Sequence, residues 1–110
     1  MPTIESGQTT TIDLFAKFFH GLSNPTRFAI IEYLMEREYN VGELVTLLKV
    51  SQGQVSNQLS CLRWCGYVSS RQEGKNVYYR ITDERIRTII DLGKQVVSDN
   101  ADYISQCTRM

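Results

Sequence analysis

Apolar positions recur along most of this chain with the period of a helix, and over one later stretch with the period of a strand. Ile12, Phe15, Phe19 and Leu22 are spaced for one face of a first amphipathic helix. Asn24-Pro25 then offers a side-chain N-cap followed by a proline at the first helical position. Phe28, Ile31, Leu34 and Met35 carry that second helix to about Arg37. Asn40-Val41-Gly42-Glu43 reads as a capping box opening a short third helix with Leu44, Leu47 and Leu48 on one side. Lys49-Val50 is a tight link to a fourth helix. There Ser51 and Gln54 form another candidate capping box, and Val55, Leu59 and Leu62 make the apolar stripe. Gly66 stands where a left-handed residue ends such a helix.

After Gly66 the period shortens to two. Tyr67–Gln72 and Val77–Ile81 read as strands joined by a hairpin tip at Glu73-Gly74-Lys75-Asn76, with Val77, Tyr79 and Ile81 on one face. Thr82 or Asp83 can cap a last helix whose stripe is Ile86, Ile89, Ile90, Val96 and Val97. Residues 1–10 lack periodicity and read as a mobile arm, residues 11–98 as one folded unit, and residues 99–110 as a tail holding Tyr103, Ile104 and Cys107. Two short helices joined tightly, then a hairpin, predict a mainly α fold with a β-hairpin wing: a winged helix-turn-helix.

Composition narrows the function more than the fold. The 110 residues carry equal numbers of acidic and basic side chains, so a nucleic-acid surface must be a local patch. No apolar run of 18 or more residues occurs and the start is polar, which predicts a cytoplasmic protein without a membrane partner. Three cysteines without secretory context predict reduced thiols. A cysteine enzyme needs a base and an oxyanion site. With a single histidine, His20, on a different helix from the paired cysteines and no glycine-rich elbow, neither an enzyme nor a small organic substrate is expected. His20 is expected to cap the first helix or face solvent, and Trp64 to pack near the cysteines.

The fourth helix concentrates the chemistry. Gln and Asn both donate and accept, so they can bond a base edge in the major groove. Ser51, Gln52, Gln54, Ser56 and Asn57 supply such groups over its first turns, and the helix N-terminus favours a phosphate. Arg71, Lys75 and Asn76 put cationic and polar groups on the hairpin, suited to the backbone or minor groove of double-stranded DNA. Any one of these residues could equally face water; it is the set, following a helix-turn-helix, that points to DNA.

Cys61 and Cys65 lie one helical turn apart, which places their Cβ atoms about 5–6 Å from each other. That spacing permits shared coordination of one ion, and equally suits two small core residues or a redox pair. A third thiol, Cys107 in the tail, would complete a three-thiolate set. Such a set selects soft ions, Cd(II), Pb(II), Hg(II) or As(III).

The segments Asn24-Pro25-Thr26-Arg27, Gly42-Glu43-Leu44, Val55-Ser56-Asn57-Gln58-Leu59, Leu62-Arg63, Gly66-Tyr67-Val68 and Gly74-Lys75-Asn76-Val77-Tyr78-Tyr79 resemble the ArsR/SmtB family of bacterial repressors. Ser60-Cys61-Leu62-Arg63-Trp64-Cys65-Gly66 with a tail cysteine is similar to members that sense cadmium and lead. The resemblance implies a homodimer that grips an imperfect palindrome and releases it when a metal or metalloid binds. It also implies that Cys107 reaches the helical pair from the other protomer. Two other metal sites found in this family are missing, since Gly42–Leu48 has no cysteine and Asp83–Val97 no histidine.

Overall fold

The computed structural model describes residues 10–107. Its elements run α1 (Thr11–His20), α2 (Pro25–Glu36), β1 (Tyr39–Asn40), α3 (Val41–Leu48), α4 (Gln52–Trp64), β2 (Val68–Glu73), β3 (Asn76–Ile81), α5 (Glu84–Asp99) and α6 (Ala101–Ser105). Local chemistry sets most of these boundaries. Asn24 accepts from the backbone N–H groups of Thr26 and Arg27, and Asn40 forms a complete capping box with Glu43. Asp83, the second of the two expected caps, opens α5. At Ser51 only half of the expected box forms: its hydroxyl accepts from the Gln54 N–H, while the Gln54 side chain stays outward. Thr10, expected in the arm, forms a capping box with Asp13 and so belongs to α1; the rest of that arm lies outside the described residues.

The α4 terminus is a Schellman turn. Gly66 at φ +84° donates to Arg63 O, and Tyr67 N–H reaches back to Leu62 O at 2.9 Å. The chain then enters an antiparallel sheet of order β1-β3-β2. The sequence pattern missed β1, whose two residues pair Tyr39 with Tyr79 and Asn40 with Tyr78, too short for any alternation to register. The hairpin is tighter than expected: Glu73 pairs with Asn76, leaving Gly74-Lys75 as a two-residue turn with Gly74 at φ +61°.

The core joins Ile30, Ile31 and Leu34 of α2 to Leu44 of α3, Val55, Leu59 and Leu62 of α4, and Ile86 and Ile90 of α5. Each such side chain contributes about 1.5–3 kcal/mol on burial. Tyr67 is wholly buried, stacks on Phe18 with centroids 4.7 Å apart, and donates its hydroxyl to Phe18 O. Gly21 lies so close that a Cβ there would meet the Tyr67 ring at 2.6 Å. The end of α1 is thereby locked onto the α4–β2 junction.

Two predicted stripes find no cover within the chain. Phe15 and Phe19 of α1 are 63% and 58% exposed, and Val96 and Val97 of α5 are 58% and 50% exposed. Helix α5 outruns the core, so only its first turns are buried. Leu22 falls just past the end of α1. An apolar groove of about 600 Å³ runs between these helices, lined by Phe19, Leu22, Phe28, Ile89, Ile90 and Val97. The expectation that Trp64 packs near the cysteines is corrected: it is 86% exposed, because it lies two residues past Leu62 and faces away from the stripe. Within the expected tail, residues 99–110, the chain forms the short helix α6. Among the described residues no helix is long and apolar enough to cross a membrane.

Candidate nucleic-acid interface and thiol pair

Helices α3 and α4 make the helix-turn-helix, and the apolar stripe decides which way α4 faces. Val55, Leu59 and Leu62 are fully buried, while Ser51, Gln52, Gly53, Gln54 and Asn57 are exposed and Ser56 is half-buried. The first turn of α4 carries no acid, so nothing there repels a phosphate. Ser51 spends its acceptor on the cap but keeps its hydroxyl proton for donation.

Gln58 behaves differently from its neighbours. It is half-buried, and its Oε1 accepts from Arg27 Nη1 at 2.8 Å. Arg27 Nε also donates to Gly21 O at 3.0 Å, and Nη2 to His20 O at 3.2 Å. Sequence reasoning quoted Arg27 only as part of a motif and gave it no role. Its Gln58 partner is 31 residues away, where no local spacing rule reaches.

On the wing, Lys75 and Asn76 sit exposed at and beside the turn. Arg71 does not present the free cation expected of it. Its Nε donates to Glu38 Oε2 at 2.8 Å, its Nη1 to Glu73 Oε2 at 2.9 Å, and the guanidinium lies over the Tyr78 ring. Two carboxylates within reach offset its charge, and the Glu38 pair ties the wing to the link between α2 and β1. His20 is exposed as expected, with its carbonyl accepting from Ser23 Oγ.

Cys61 and Cys65 are reduced and half-buried beside the α4 stripe. With Gln58 they occupy positions i, i+3 and i+7, one face of the helix. Burial first, and then the neighbouring Cys61, push the Cys65 thiol above its ordinary value, while Arg27 and Lys17 pull it down more weakly. Cys107 is exposed just beyond α6. Among the described residues, no three His, Cys, Asp or Glu side chains converge on a point that could hold a metal. One chain therefore brings Cys61 to Cys65 but does not bring Cys107 to either. The pair has the spacing for two positions of a soft ion, and among the described residues no third donor of the same chain joins it.

Residues 24–70 match the family described as bacterial regulatory protein, arsR family. The chain is 38% identical over 98 residues to a probable mercury resistance operon repressor of Streptomyces lividans, covering 89% of this chain and 78% of that one. It is 34% identical over 88 residues to the HTH-type transcriptional regulator CmtR of Mycobacterium bovis, covering 79% and 75%. Its fold superposes on the homodimeric winged helix-turn-helix DNA-binding domain of Mb0332 from Mycobacterium bovis with a TM-score of 0.74 at 29% identity, covering 91% and 92%.

Proposed function

Because this chain belongs to the arsR family of bacterial regulatory proteins, we propose that it represses transcription as a homodimer released from operator DNA by a thiophilic metal ion. Family membership makes it a transcriptional repressor with a winged helix-turn-helix, and not an enzyme. The observation that carries the rest is that one helix, α4 with its C-cap residue Cys65, carries both the exposed amide row and the thiol pair. A change at one end of a helix is felt at the other.

In this reading Ser51, Gln52, Gln54, Ser56 and Asn57 bond base edges in the major groove, and Lys75 and Asn76 contact the backbone. Arg71 holds the wing in place. The uncovered faces of α1 and α5 meet their copies, which would bury Phe15, Phe19, Val96 and Val97 and close the groove between them. Cys61 and Cys65 supply two thiolates, and Cys107 of the partner subunit supplies a third. Such a set suits Cd(II) or Pb(II), and also Hg(II) or As(III). A bound ion supplies cross-linking, tying the tail to α4. The relatives named for mercury resistance and CmtR support a metal signal.

The test is fluorescence anisotropy with a duplex selected from a random library, using the reduced protein. Metal-free protein binds tightly and with strong salt dependence. One Cd(II) per protomer weakens binding by about 5- to 150-fold, the usual range of coupling between two sites. Release by peroxide with every thiophilic ion inert would replace this reading with a redox-sensing repressor of the same fold.

A further inference from the structure

Arg27 stands where three parts of the chain meet. It belongs to the first turn of α2, its Nε and Nη2 hold the carbonyls of Gly21 and His20 at the end of α1, and its Nη1 holds Gln58 on α4. The Gly21 carbonyl lies just past α1 and the His20 carbonyl is shared with the Ser23 N–H and hydroxyl, so the guanidinium adds to the cap of α1 while it grips α4. Among the described residues this is the only polar side-chain tie from α2 to α4, and the Tyr67 hydroxyl on Phe18 O is a second polar tie, from the α4–β2 junction to the end of α1. Between α2 and α4 themselves the remaining contact is apolar packing, which resists separation but allows small rotations.

We infer that Arg27 is a positioning residue that holds the reading helix in its DNA-competent place, and that the thiol pair acts on DNA binding through this strut. The inference rests on the repressor reading above. Three observations support it. A dimeric helix-turn-helix must present its two reading helices at a fixed spacing along DNA, so the angle between α4 and the dimer surface matters. Arg27 bears on that angle, because it bonds both the end of α1, which carries the uncovered Phe15 and Phe19, and Gln58 on the helix that reads. Gln58 also shares a face with Cys61, one turn away, and Cys65, so anything that fixes the thiols rearranges the surroundings of the Arg27–Gln58 bond.

The test is a double-mutant cycle on the full chain, with Arg27→Gln, Gln58→Leu and the pair combined. Gln58→Leu leaves the two carbonyl bonds of Arg27 intact, so it reports on the strut even where Arg27→Gln weakens the fold. Each single variant is expected to bind the selected operator about tenfold more weakly without metal, the scale of one lost charged hydrogen bond. The double variant should lose no more than either single one. Dimerisation by sedimentation and the thiolate-to-cadmium absorption band should match wild type, and added Cd(II) should weaken variant binding about tenfold less than it weakens wild type. Additive losses, or variants that bind and release operator as wild type does, would overturn the inference alone. A wild-type protein that binds no operator would instead remove the repressor reading and this inference with it.

Discussion

Replacing Cys61 or Cys65 with serine abolishes release by metal while leaving operator affinity within about twofold of wild type. A serine hydroxyl does not ionise near neutral pH, so one of three thiolates is lost outright. Since thiolate sites gain on the order of 10 kcal/mol or more from their ligand set, losing one ligand should cost at least about a hundredfold in ion affinity. DNA binding survives because both residues lie beyond Asn57 along α4, are only half-buried, and serine is nearly isosteric. Competition between metal and protons adds a second signature. Burial raises the Cys65 thiol above its ordinary value of 9.0, so at neutral pH it enters the site protonated and must release its proton to bind. Apparent ion affinity should therefore fall as pH falls, by up to about tenfold per pH unit for each proton displaced, and should keep rising with pH beyond the usual thiol range. Titrations between pH 6 and 8 measure the slope. A flat profile, or serine variants that lose operator binding while folded, would contradict this division of labour.

Phe15→Glu gives a folded monomer with operator affinity down by more than about a hundredfold, since each half-site then binds alone. The side chain is 63% exposed in the single chain, so glutamate there costs the fold little. Against a copy of itself the same carboxylate would be buried without a partner, a penalty of several kcal/mol. The surface concerned is large: Leu14, Phe15 and Phe19 on α1 and Leu92, Val96 and Val97 on α5 are all at least half exposed. Sedimentation equilibrium alongside circular dichroism checks both halves of the prediction. A variant that remains dimeric would move the interface away from α1.

How much of this was legible beforehand follows from how local each signal is. Caps lie within three residues of the groups they satisfy, so Asn24, Asn40, Ser51 and Asp83 could be read directly. The α4 stripe is also local, and it oriented both the amide row and the thiols. What sequence could not supply was any pairing across the chain. Arg27 with Gln58, Arg71 with Glu38 and β1 with β3 each join segments more than thirty residues apart. Nor could periodicity say which partner covers a stripe. Phe15, Phe19, Val96 and Val97 carry the pattern of buried residues yet are exposed in the single chain, and the pattern alone names no cover for them. The thiol set divides the same way: the closeness of Cys61 and Cys65 follows from helical spacing, whereas the separation of Cys107 from them within one chain does not.

The most direct measurement of the central claim is an anaerobic Cd(II) titration of the fully reduced protein, following thiolate-to-metal charge-transfer absorption in wild type and in Cys107→Ser. The account predicts an intense band that saturates at one ion per protomer and is weakened in Cys107→Ser, because the tail thiol of one subunit completes the pair on the other. Absence of the band would contradict it and leave Cys61 and Cys65 as core thiols. A band unchanged in Cys107→Ser would contradict the three-thiolate site.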